Sequence, residues 1–235
     1  MAQAEIIQTF TISTPPAKAG KPIAFNVTET TSDSAGPGVQ PPPLRQQIIR
    51  INKGGQYNGQ FFPRCDKQEL LDKTTCPAGS KIGTGNGTGV ALPIVPSVSA
   101  TLTLWNGEKQ SGHNTVYVYA VPDLGPNFVT IGEVYKQPKG AFDYKLDFKI
   151  DPIQTLPGAP DASVTSVNTK TPIKKAPAKL SRASTSKKKK KPAKYLTVAP
   201  KKCTGKWVGE SEFHYQVTGG PEIVKTVQGQ VTCKK

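Results

Sequence analysis

The chain has no run of apolar residues approaching the roughly 18 that a membrane-crossing helix needs, so no segment of it reads as one. Histidine is nearly absent: His113 and His214 are the two in the chain, neither lies in a motif, and no G-x-S-x-G elbow accompanies them, so a hydrolase triad has no support. Paired carboxylates for sugar hydrolysis are equally unsupported. Large apolar residues are sparse, the hydrophobic share being 35%, while 22 Gly and 22 Pro point to many turns and argue against long helices. The glycine-rich run GSKIGTGNGTG from Gly79 lacks the Lys-Ser/Thr ending of a P-loop and the spacing of a dinucleotide fingerprint. No cysteine pair has zinc-ligand spacing and no histidine is near one, so neither a metal nor a cofactor is expected.

What the chain does have is positive charge, and its location matters more than the total of +15. Fourteen basic residues and no acidic one lie between Lys170 and Lys206, while the remainder carries 17 basic against 16 acidic residues. The body is electrically ordinary and one segment is polycationic. From about 155 to 194 the chain is rich in Lys, Ser, Thr, Pro and Ala, which predicts a disordered insert within a single domain spanning 1–235. The residues expected to touch a polyanion are Lys174, Lys175, Lys179, Arg182, Lys187, Lys188, Lys189, Lys190, Lys191 and Lys194.

The four cysteines form two local pairs. Cys65 and Cys76 enclose ten residues, and Cys203 and Cys233 flank two strand-like runs joined at Gly219, Gly220 and Pro221. A hairpin turning there brings the second pair together at its open end. Of three connectivities, Cys65 with Cys76 and Cys203 with Cys233 is the one that needs no unknown tertiary structure. Paired cysteines imply an oxidising compartment. The Ala2-Gln3-Ala4 triplet is of the kind that precedes a signal-peptidase cut, so a secreted or cell-surface protein with its export signal removed is expected.

Period-2 alternation recurs along the chain. In DYKLDFKI, Tyr144, Leu146, Phe148 and Ile150 share one face and Asp143, Lys145, Asp147 and Lys149 the other, as a half-buried antiparallel strand requires. Runs beginning at Glu5, Pro22, Leu44, Val98, Thr115, Asn127, Lys206 and Ile223 read the same way. Asp66 followed by Glu69 predicts one short capped helix. The fold class is therefore all-β, an antiparallel β-sandwich of immunoglobulin-like or jelly-roll-like type. The stretch from Ala35 to Leu44 is expected as an exposed polyproline loop. Alternating Gly83, Gly85, Gly87 and Gly89 would leave one strand face bare, to be packed by a neighbour or, in the sharper alternative, by a ligand ring. Glu210, Glu212 and His214 share a strand face that reads as solvated, with metal binding as the alternative.

The run RCDKQELLDKTTCPAGSKIGTGNGTG, followed far downstream by CTGKW and a terminal cysteine, resembles exported, functionally uncharacterised β-sandwich proteins of high-GC Gram-positive bacteria. The resemblance rests on a cysteine, ten residues, then Cys-Pro-x-Gly-Ser-Lys-Ile-Gly, here Cys65 through Gly83. It implies export and a β-rich fold and brings no activity. Three functions compete: a non-enzymatic envelope or extracellular protein touching anionic cell-wall or surface polymers; an intracellular nucleic-acid binder with a histone-like segment; and a glycan-active enzyme. The neutral body and paired cysteines favour the first.

Overall fold

The computed structural model describes residues 5–36, 38–137, 139–177 and 194–234. Twelve strands form one sheet, in the order β1 (Ile6–Ser13), β3 (Phe25–Asp33), β11 (Ser163–Thr171), β6 (Lys81–Ala91), β7 (Val95–Gln110), β8 (His113–Pro122), β9 (Phe128–Lys136), β10 (Phe142–Lys149), β4 (Leu44–Asn52), β13 (Lys206–Tyr215), β14 (Ile223–Lys234) and β2 (Ala17–Lys18). Among the described residues, every ladder is antiparallel except the two-residue pairing of β14 with β2. A separate two-strand ladder joins β5 (Gln56–Tyr57) to β12 (Thr197–Val198).

The sheet folds over on itself, so the two layers of the sandwich are its two halves. Alternation decides what lies between them. On β8, Val116, Val118 and Ala120 point inward, and on β10 Leu146 and Phe148 meet them across a core that also holds Ile82, Leu104 and Leu196. A second cluster packs Ile6, Phe10 and Val27 of β1 and β3 against Leu44, Phe213 and Tyr215 of β4 and β13, with the Phe10 and Phe213 rings edge-on at 6.4 Å. Fully burying such side chains contributes about 1.5–3 kcal/mol each.

Where the sheet's ends meet, β1 packs on β14 without a ladder. Gly209 and Gly229 are partners in the β13–β14 register, and together they leave a notch filled by Ile12. A Cβ on Gly229 would lie 3.1 Å from the Ile12 backbone nitrogen, so a side chain there would have to push the β1 backbone back by a few tenths of an ångström. The β7–β8 hairpin closes through Ser111 (φ 49°) and Gly112 (φ 83°), the left-handed pair that a two-residue turn favours.

The α-helix among the described residues, α1 (Lys67–Lys73), lies on the outer face of the sheet. Asp66 caps it, its carboxylate accepting the Glu69 N–H at 2.7 Å, as the spacing predicted. Leu70 buries against Tyr117 and Tyr119, the outward residues of β8. Cys65 and Cys76, 5.1 Å apart at Cα, are joined by a disulfide across this segment. Cys203 and Cys233, 5.8 Å apart, are joined at the open end of the β13–β14 hairpin. Both bonds fit an oxidising compartment.

Two expectations change. The stretch from about 155 does not interrupt the fold, because Ser163–Thr171 form β11, hydrogen-bonded on both sides by β3 and β6. A register shift between Val164 and Ser166 puts its inward valines out of step, which hides a period-2 strand in a Ser/Thr-rich sequence. The 35–44 stretch is an exposed loop in its first part, at Ala35, Gly38 and Val39, but its polyproline end packs into the fold: Pro41 is buried, its carbonyl accepts from Ser163 Oγ, and Gln40 donates to the Asp161 carbonyl at 2.8 Å and accepts from the Leu92 N–H at 2.7 Å. The prolines leave their carbonyls free for neighbours to bond, so a crossing from one layer to the other packs well there.

Candidate functional site

The charged residues foreseen from sequence divide sharply. Lys179, Arg182, Lys187, Lys188, Lys189, Lys190 and Lys191 lie outside the described residues. Lys174, Lys175 and Lys194 form the two feet of the segment that carries them. Those feet are tied together: Lys175 bridges Tyr195, the Ala176 N–H donates to the Lys194 carbonyl at 2.8 Å, and the Leu196 N–H donates to the Lys174 carbonyl at 2.9 Å. Leu196 and Ala176, both in the core, anchor this neck. Lys175 is exposed, whereas Lys194 Nζ lies 5.5 Å from the centre of the Phe61 ring. Lys174 turns back to the body and donates to the Lys81 carbonyl; its burial, and then the Lys81 charge, lower its pKa.

Beyond the neck, residues 197 to 202 run along the 53–58 turn, with Asn58 Nδ2 donating to the Tyr195 carbonyl at 2.8 Å and the Asn58 N–H to the Leu196 carbonyl at 2.8 Å. This places Lys201 and Lys202 beside Lys53 and Lys136 around an open cleft of about 630 Å³. All four lysines are exposed, and among the described residues none of them is paired with a carboxylate. The acid in the cleft, Asp143, accepts the Gly54 N–H at 2.7 Å and so holds the turn. Periodicity alone could not find this cluster, because its members come from three separate segments, the turn after β4, the end of β9 and the 201–202 stretch, that meet only in the fold.

The outward Glu210, Glu212 and His214 belong to an ion-pair network. Arg50 of β4 donates to Glu210 at 3.0 Å and to Glu212 at 2.9 Å, and His214 lies 2.8 Å from Glu212 and 3.1 Å from Glu222. Burial would lower the His214 pKa, but the hydrogen bonds to Glu212 and Glu222 outweigh it and raise the value. An arginine between the carboxylates opposes a cation there, and no metal-binding cluster occurs among the described residues.

The interior contains a third feature. The glycines of β6 leave its inward face bare, and behind Gly87 and Gly89 lies a cavity of about 250 Å³ walled by side chains such as Leu102, Val118, Leu146 and Phe148. Glu29 of β3 is on that wall and 6% exposed. Burial pushes its pKa from 4.5 up to about 7, against the hydrogen bond from Gln47, which itself reaches Ser211 Oγ at 3.0 Å. Thr155, on the same wall and 5% exposed, has no partner for its hydroxyl among the described residues.

No family model matches the chain, and no curated protein matches it. Among solved structures it is similar to the collagen-binding subdomain of the Enterococcus faecalis surface protein ACE, with 11% identity, 95% of each chain covered and a TM-score of 0.33, a likeness too distant to carry an argument about ligand or mechanism. Among the described residues no helix is long and apolar enough to cross a membrane.

Proposed function

We propose that the protein is an exported, non-enzymatic binding protein whose cationic end holds anionic polymers of a cell wall or surface. One observation carries this reading: Lys53, Lys136, Lys201 and Lys202, exposed and free of carboxylate partners among the described residues, surround one cleft at the end of the sandwich where the neck of the lysine-rich segment is anchored. Lysines are mobile point charges without the planar fork that arginine offers to phosphate, so the recognition they support is of charge density. The favourable free energy is the release of counterions from the polymer, which makes affinity fall as salt rises.

Charge reversal of the cleft tests this directly. Lys201→Glu with Lys202→Glu alters exposed side chains and leaves the fold's melting temperature within about 2 °C, as surface changes do. On immobilised wall teichoic acid, heparin or DNA, the double variant elutes at a clearly lower salt concentration than the parent. Elution of both proteins at the same salt on every polymer would refute the cleft as a polyanion site.

A further inference from the structure

The alternating glycines of β6 have a consequence that reaches beyond surface charge. Gly83, Gly85 and Gly89 are held against the backbone of β11: a Cβ on Gly83 would lie 2.7 Å from the Lys170 carbonyl oxygen, and one on Gly89 would lie 2.9 Å from that of Ser163. Gly87 is different. A Cβ there would find the Ser166 carbonyl at 3.3 Å and Leu102 at 3.6 Å, so a small side chain fits, yet the position is bare and opens on the cavity. Cores ordinarily fill such space, because a void forfeits the dispersion contacts of its lining.

The polar atoms of the wall argue the same way. Gln47 donates to Glu29 Oε1, and no described residue donates to or accepts from Oε2. Thr155 Oγ1 is buried and likewise without a partner among the described residues. An unmet buried polar group is costly, and here one, the Thr155 hydroxyl, borders an apolar space beside the buried Glu29 carboxyl. Glu29 is the one ionisable carboxyl on the wall, no lysine or arginine stands beside it there, and burial keeps it mostly protonated at pH 6.

We propose that this cavity is a binding site for an uncharged, largely apolar small molecule whose hydrogen-bonding group meets Glu29 or Thr155. The size follows by proportion: an apolar cavity of about 150 Å³ takes benzene, so about 250 Å³ takes a molecule of about ten heavy atoms. An anionic head finds no cation on the wall, and an ammonium must shed its water with a neutral carboxylic acid as its partner.

The probe is 1-octanol at pH 6, titrated into the full chain with its disulfides intact, alongside octanoate and octylamine. Saturable binding of 1-octanol is expected, with a raised melting temperature and methyl NMR shifts at Leu102, Val118 and Leu146 but not at the exposed Val39 and Ile94. Gly87→Val fills the space and weakens binding on the order of tenfold or more. The methyl shifts locate the site without the variant, so a poorly folding Gly87→Val leaves the decision to them. Absence of saturable binding, shifts confined to surface methyls, a folded Gly87→Val that binds equally well, or tighter binding of octanoate or octylamine would each overturn the proposal.

Discussion

Glu29 shows how a single side chain couples the interior to pH. In the unfolded chain its carboxyl titrates near 4.5, and in the fold near 7, so between these values the unfolded state sheds a proton that the folded state keeps. The stabilising contribution is therefore complete below pH 4.5 and is lost as pH rises through 7. A displacement of this size corresponds to about 3 kcal/mol. Glu29→Gln keeps the shape and the Gln47 contact but cannot ionise, so urea unfolding should show the variant gaining on the parent steadily from pH 4.5 to 7.5. A constant difference across that range would mean that Glu29 is not held neutral. The sequence reading missed this residue, because a lone Glu in a Thr-rich run looks like any solvated strand position. The outward Glu210, Glu212 and His214 were legible as a face, whereas their organiser, Arg50, comes from another strand.

At the scale of elements, the clean strands were legible where burial alternates along them, as in β1 and β13, and so was α1, whose start is written in Asp66 and Glu69. β11 was not, because a bulge breaks its alternation and its composition matches the lysine-rich stretch that follows. The correction is practical: a deletion meant to remove only the cationic segment must spare β11 and the Lys174–Ala176 and Lys194–Leu196 feet, and so is confined to 178–193. The seam between β1 and β14 was equally hidden, since the pairing of Gly209 with Gly229 exists only in the hairpin register. Gly229→Val would push on the β1 backbone and should cost on the order of 2 kcal/mol. Gly209→Ala should cost less, since the Cβ meets only the tip of the Ile12 side chain. Denaturant midpoints in the reverse order would show that the seam is not closed by this notch.

The whole molecule separates the two proposed binding sites. An apolar interior runs between the layers of the folded-over sheet, and a cationic end is built from turns plus the feet of the lysine-rich segment. The charge asymmetry was legible from composition, since fourteen basic residues crowd into 170–206. Its partners in the body, Lys53 and Lys136, are separated from it by more than thirty residues of chain and became visible only in the fold. The measurement that bears most directly on the cationic end as a polyanion site is the slope of log affinity against log salt for wall teichoic acid, taken for the intact protein and for a variant in which 178–193 is replaced by a short Gly-Ser turn. That replacement removes seven basic residues and leaves the neck closed. With each neutralised charge adding roughly 0.7 to 0.9 to the slope, the intact protein should be steeper by about 5 to 6, with nearly equal melting temperatures for the two proteins. Equal slopes would contradict the account of the segment as part of the cationic end, since its seven charges would then have no part in binding and the cleft lysines alone would carry it.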